Sequence, residues 1–260
     1  MSNPDQYHYG QGKLLLAIIN ANGTTGPWRW VGDVSALSGA FAEETVSARE
    51  SWSGSKSKVR EFNISKDMTW SATLHSLVSE NLALFTDGTA TEIAAGTVTG
   101  EVLPSGLVAG DIVALQNIGI SDLVITDSAG TPATLDPQHY TLAANTGSIE
   151  IVSLPTSPAP TQPFKAAYTH AAASQVAFLK AAARPNVALR YEGINLAENG
   201  AAVVVELYKL SPSLLQELSL IADGTDVLGM PVSFSSLRDT RQSATGAFGQ
   251  FGRILQGVAA

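Results

Sequence analysis

The residues able to do chemistry are few and scattered. Four histidines, His8, His75, His139 and His170, stand far apart, and none falls in an H-x-x-x-H or H-E-x-x-H spacing. A metal site would need ligands assembled by the fold alone. The chain has no cysteine, which excludes disulfides, thiolate metal sites and cysteine nucleophiles. Gly10-Gln11-Gly12-Lys13 has the look of a phosphate loop, but Leu14 stands where Ser or Thr is needed, and the loop precedes its strand. No G-x-S-x-G elbow occurs. Glu43-Glu44 is the one adjacent acidic pair, and its default reading is a solvated surface. Glycosidase carboxylates need not be neighbours in sequence, so spacing does not exclude them. Asp122, Asp127, Asp136, Asp223 and Asp226 stand at turns, where aspartate bonds to local backbone. No catalytic, cofactor or metal residues are expected, and the expectation is a non-enzyme.

Composition agrees with a scaffold. The net charge is −8, and charged residues make up only 15% of the chain. Gripping phosphates needs clustered cations, so a nucleic-acid clamp is disfavoured. Sparse charge suits a subunit whose surface is partly covered by neighbours. The N-terminus lacks a secretory pattern, and Leu14–Ile19 is too short to span a bilayer, so a soluble protein folding in a cytoplasm is expected.

The elements follow from periodicity. Phe62, Ile64, Met68, Trp70, Ala72 and Leu74 alternate with polar residues, which predicts a half-buried strand, with Lys66 the one break. Leu77, Val78, Leu82 and Phe85 then predict a short helix that Gly88 ends. Upstream, Trp28 and Trp30 open a strand that Val34, Leu37, Gly39 and Phe41 continue. Between these strands, Glu43–Lys58 is polar and reads either as a projecting hairpin arm or as an ordinary mobile loop. A free two-stranded arm is marginal in water, so the first reading implies a partner surface. Trp52 is then the natural anchor.

Elsewhere, Leu14–Ile19 is a strand before an Asn22-Gly23 turn, and residues 90–110 are weakly patterned. Short strands are expected over 111–116, 122–127, 140–142, 148–154 and 164–169. Residues 171–183 are helix-prone by alanine content, the alternative being an extended connector. Asn199-Gly200 between 186–195 and 201–210 is a strong hairpin signal. A helix is expected from Ser211-Pro212, or from a Ser213 cap with Gln216, burying Leu214, Leu215, Leu218 and Ile221 and ending at Gly224. A last strand carries Leu228, Met230, Val232 and Phe234. The tail bears Phe248, Phe251, Ile254 and Leu255 and docks either on its own core or on a neighbour. The expected class is mainly β: two packed sheets, sandwich or barrel, with one or two short flanking helices, a long hairpin arm and extended termini. It forms one domain over 1–260, with a β-rich middle region over about 90–165 that elaborates the core or decorates its outside. Residues 1–12 and 240–260 are terminal arms.

Two stretches carry a family likeness. The run from "GDVSALSGAF" through "ESWSGSKSKVREFNISKDMTWSATLHSLVSENLALFTDG" resembles the tail tube (major tail) proteins of long-tailed bacteriophages. So do "DPQHYTLAANTGSIEIV" and "LRYEGINLAENGAAVVVELYKLSPSLLQELSLIADG". The resemblance spans about Val31 to Phe234 and rests on soft motifs, small residues and alternation. It implies a structural virion protein that self-assembles into stacked, hexameric rings forming a conduit for the genome. It implies assembly in the host cytoplasm and partnership with tape-measure, tail terminator and tail tip proteins. DNA would pass without specific binding, and no membrane insertion or cofactor is implied. Glu43, Glu44, Arg49, Trp52, Lys56 and Lys58 of the arm, with Phe248 and Phe251 of the tail, would then lie at subunit contacts. The alternative is a non-enzymatic binding, decoration or fibre module that recognises a surface glycan or protein.

Overall fold

The computed structural model describes residues 7–181, 183–222, 224 and 227–257. The chain is 49% strand and 5% helix, which makes it mainly β. It divides into two compact units, one built from the chain up to Thr89 and again from Val176, the other from Ala90–Gln175.

The first unit is one eight-stranded sheet. Its strands are β1 (Gly10–Ile18), β2 (Arg29–Trp30), β3 (Val34–Arg49), β4 (Lys58–Leu74), then β13 (Val187–Asn195), β14 (Ala201–Pro212), β15 (Met230–Ser236) and β16 (Gly252–Gln256). The order is β2-β1-β13-β14-β15-β4-β3, and β16 lies beside β14. Leu14 and Leu16 near one end of that order share a core with Trp70, Ala72 and Leu74 near the other, so the sheet curls around its own interior. Phe85 and Phe234, both fully buried, meet edge to face at 5.5 Å.

Helix α1 (Ser79–Phe85) closes one side of this core. It starts later than the periodicity suggests, because Leu77 and Val78 stay exposed. Its buried face holds Asn81, which donates to the Val31 and Ser76 carbonyls at 2.8 and 3.0 Å. The helix ends near Gly88 as expected, but the left-handed residue is Asp87 at φ +49°. The Gly88 N–H then reaches back to the Ala83 carbonyl, satisfying an orphan acceptor of the last turn. Arg184 locks this corner, bonding both Asp87 oxygens at 2.7 Å and the Pro212 carbonyl at 2.6 Å. That ion pair holds the Asp87 carboxyl below its usual range.

Several expectations need correction. The expected helix over 211–224 is absent among the described residues, and Asp223 and Asp226 lie outside them. Strand β14 instead runs through Pro212, paired in register with β15 from Leu210↔Ser236 to Pro212↔Phe234. The Leu215 N–H goes to the Phe85 carbonyl, not to a carbonyl four residues back, and Ile221 is 88% exposed. Sheet pairing outweighs a local capping signal there. Within the stretch 171–183, Ala173–Ala177 takes the extended alternative. β12 (Ala173–Ala177) pairs with β5 (Thr89–Ile93), and so short an alanine run cannot offset helix nucleation. The strand expected to continue from Trp30 breaks at Val31-Gly32-Asp33, where Gly32 has φ +93°. The N-terminal arm is shorter than expected. From Gly10 it is strand β1, and a Cβ at Gly12 would collide with the Glu192 carbonyl. Tyr7 and Tyr9 are tied to the buried Asn195 side chain at 2.7 and 2.8 Å. Residues 1–6 lie outside the described chain.

The second unit holds β6 (Gly96–Val102), β7 (Ile112–Ala114), β8 (Ile120–Thr126), β9 (Tyr140–Ala143), β10 (Ser148–Ile151) and β11 (Lys165–His170). They make two three-stranded sheets, β7-β10-β9 and β6-β11-β8. Val113, Ile149 and Ile151 of one sheet and Ile120, Ile125 and Ala166 of the other share one core with Phe164 and Tyr168. That is a small sandwich. β6 and part of β5 fall in the stretch that reads as unpatterned, because their apolar residues are few.

Asp127 is the fastener of this unit's loops. It is 5% exposed and accepts backbone N–H bonds from Ala133, Thr161 and Ala129 at 2.7, 3.1 and 3.4 Å. These bonds, Ala133's first, hold its carboxyl below the ordinary aspartate range. A depressed folded pKa stabilises above the unfolded value, and that stabilisation is lost as pH falls through the folded one. Amide exchange in residues 127–133 and 161 should therefore accelerate as pH drops below the ordinary aspartate range, after correction for intrinsic rates. Asp127→Asn should remove most of that pH dependence, and an unchanged slope would contradict the role.

Candidate assembly surface

The β3–β4 hairpin is the projecting feature. β15 pairs with β4 only over Thr69–Leu74, so among the described residues Lys58–Met68 has β3 as its sole strand neighbour. Those residues extend about 35 Å at strand rise. The reading of Glu43–Lys58 as a hairpin arm holds, because β3 and β4 stay paired out to Arg49↔Lys58.

The alternation in β4 does not stay on one buried face. A register shift skips Ile64, since Glu44 pairs with Ser65 but Thr45 pairs with Asn63. Asn63 donates to Glu43, and Glu61 is hydrogen-bonded to Thr45, so these four share a face. Phe41, Met68 and Trp70 lie on that face through the pairs Phe41↔Met68 and Gly39↔Trp70. Phe62, paired with Val46, therefore lies on the opposite face. A bulge of one residue does this by adding an unpaired step to a period of two. Burial starts only at Met68. Phe41 is 78% exposed and Phe62 52%, with Val46, Val59 and Ile64 also exposed. These five are the surface residues that periodicity missed. The available signal was the polar stretch opposite them, which leaves nothing to bury them.

The six arm residues singled out from sequence all lie on this hairpin. Glu43 faces Lys66 in register and Glu44 faces Ser65. Arg49 donates to the Lys56 carbonyl at 3.1 Å, and Lys56 takes a left-handed φ of +52° at the turn. Lys58 pairs with Glu61 at 2.7 Å, which holds the Glu61 carboxyl below its usual range. Trp52, at the tip, is 77% exposed. Glu50 folds inward, accepting from the Ser53 and Ser55 hydroxyls, and both lower its pKa.

Phe248 and Phe251 sit apart from the arm, and no hydrogen bond or ion pair among the described residues joins the two groups. Of the two alternatives for the tail, the structure takes docking on its own sheet. β16 pairs with Val203–Leu207 of β14. The Phe248 and Phe251 carbonyls accept from the Tyr208 hydroxyl and N–H at 3.2 and 3.1 Å. The Arg253 guanidinium lies 4.4 Å from the Phe248 ring centroid. Its Nε bonds Glu206 at 2.6 Å, and Arg190 bonds the other Glu206 oxygen. Glu206 thus clasps β13, β14 and β16 together. Glu206→Gln should speed amide exchange across Gly252–Gln256 at least about tenfold while leaving β13 amides protected. Unchanged protection of β16 would remove the clasp from its attachment.

Among the described residues no group of three or more His, Cys, Asp or Glu side chains converges as metal ligands would. His75, His139 and His170 make separate local contacts with Leu228, Ser153 and Ala171. A wide groove of about 1040 Å³ is lined by Leu14, Leu37, Trp70, Tyr191, Val205 and Ile254 among others. Among the described residues no helix is long and apolar enough to cross a membrane.

No curated protein matches the chain. A family profile matches residues 7–255, nearly all of the sequence and both units. The chain therefore belongs to the family described as "Protein of unknown function UCP028589".

Proposed function

We propose that this chain is a structural subunit that assembles with copies of itself into stacked rings, as the tail tube proteins it resembles do. In this reading it belongs to a virion tail built in the host cytoplasm. Its rings, six subunits each, form the conduit for the genome. Tape-measure, terminator and tip proteins are its other partners. It carries out no catalysis and takes no cofactor. The observation that carries the reading is the hairpin arm. Among the described residues, eleven of β4 have only one strand neighbour, and the arm exposes Phe41, Val46, Trp52, Val59, Phe62 and Ile64. A two-stranded ribbon of this kind is marginal in water, and exposed apolar edge strands pair readily with other chains. A partner surface removes both liabilities. The acidic balance supports the conduit role, because DNA carries about one negative charge per 1.7 Å of axis and a basic lining would retain it.

Electron microscopy and sedimentation of the purified chain over a wide concentration range test this. Rings or tubes that grow with concentration are expected. A species that stays monomeric throughout would overturn the reading. If that monomer bound glycans through exposed Trp52 or Trp28, the binding-module alternative would replace it.

A further inference from the structure

The arm's tip is electrostatically unlike the rest of the protein. Residues 49–60 hold four cations, Arg49, Lys56, Lys58 and Arg60, against the single carboxylate of Glu50, a net of +3. The remaining residues carry eleven Lys and Arg and twenty-two Asp and Glu, a net of −11. The negative charge is not uniformly compensated. Unit Ala90–Gln175 has seven carboxylates and one lysine, and no ion pair among the described residues involves them.

The tip is also a built structure. Glu50 is folded into the turn, where the Ser55 hydroxyl reaches it at 2.6 Å and Ser53 bonds the same oxygen. The hydroxyls of Ser53, Ser55 and Ser57 follow one another at 2.8 Å spacings. The Glu50 N–H donates to the Ser57 carbonyl at 3.0 Å, and Arg49 spans the turn to Lys56. The one acid is thereby occupied inside the turn. Trp52 stands exposed in the turn, and the nearby chain positions Lys56 and Arg60 have no ion-pair partner among the described residues. An ordered loop that presents an indole and unpaired cations has already met much of the ordering cost of binding. Trp and Arg are the residues on which interface energy concentrates.

We propose that the serine-locked tip is an electrostatic plug: Trp52, Lys56 and Arg60 of one copy dock on an acidic surface of a second copy. The inference rests on the self-assembly reading and adds its chemistry. The occupant follows from charge. A chain at −11 outside its tip presents to every copy the complement of that tip, at the concentration at which the copies meet. Opposed charges set the rate and register of encounter, and the indole supplies apolar burial. Contact within one copy's own tip is closed off, because Glu50 is already bonded.

The test uses the full chain as wild type, Lys56→Glu/Arg60→Glu and Trp52→Ala, each checked for the wild-type melting curve. Arg49 and Lys58 are left in place because they hold the turn. Sedimentation and microscopy measure the concentration for assembly from low salt to about 0.5 M NaCl. Wild-type assembly should weaken with salt as exposed charges are screened. The double reversal should raise the assembly concentration at least about tenfold and flatten or invert the salt dependence. Trp52→Ala should raise it about tenfold with the salt dependence retained. If wild type assembles and the double reversal assembles equally well with the same salt dependence, the plug is overturned while self-assembly stands. A wild type that stays monomeric overturns both. Loss of double-stranded DNA retention in the reversal, with assembly unchanged, would assign the cations to nucleic acid and also overturn the plug.

Discussion

Removing Ser47–Lys56 should leave a folded protein that no longer polymerises. The deleted residues contribute nothing to the core of the first unit, whose β4 members begin at Met68. Ser57–Glu61 remain to turn the chain between Val46 and its partner Phe62. β15 still pairs with Thr69–Leu74, so the sheet keeps its order. The melting temperature should therefore change by only a few degrees, as for surface changes generally. Assembly should be lost outright, because the deletion takes Trp52 and the tip cations Arg49 and Lys56. It leaves Lys58 and Arg60 within a short turn. Circular dichroism and sedimentation read the two effects separately. Normal tubes from the deleted protein would exclude the tip from assembly. Loss of folding would show that it is a structural element.

The second large effect separates the units. Phe164 is fully buried in the core of Ala90–Gln175, and Phe234 is fully buried in that of the first unit. The two clusters share no residue. Truncating a buried Phe to Ala costs about 3–5 kcal/mol, a large part of a domain's stability. Phe234→Ala adds the loss of its edge-to-face contact with Phe85. Hydrogen exchange on the full chain should show Phe164→Ala exposing amides within 96–170 while those of β13 and β14 stay protected. Phe234→Ala should do the reverse. The chain enters and leaves the second unit through β5 and β12, which pair side by side, a connection compatible with independent melting. If either substitution loosens both units equally, they fold as one cooperative body.

How much of this was legible depended on distance along the chain. Asn199-Gly200 and its flanking runs specify β13 and β14, because a tight hairpin is a local object. The strands of the second unit were visible wherever turn residues bracket an apolar run, as Asn145-Thr146-Gly147 does between β9 and β10. The alternation from Phe62 to Leu74 identified a strand correctly but assigned its burial wrongly. Periodicity reports a repeat and not what lies against it. The skipped residue at Ile64 depends on the register with β3, which no pattern within β4 encodes. Ser211-Pro212 failed for the same reason, since its capping signal is local and the pairing that overrides it comes from Phe234–Ser236.

By itself, then, the sequence determined the β class, the absence of cysteine chemistry, a polar stretch between two strands of the Val34–Leu74 region, and the excess of cations over carboxylates at residues 49–60 of an acidic chain. These are properties of composition and short-range periodicity. Tertiary structure alone decided that β15 stops at Thr69 and leaves the outer arm uncovered. It also decided that the tail returns to β14 through Glu206, and that serine hydroxyls hold the Glu50 carboxylate within the turn. Each of these depends on which distant backbone satisfies a given hydrogen-bonding group. That choice is made by the whole sheet at once.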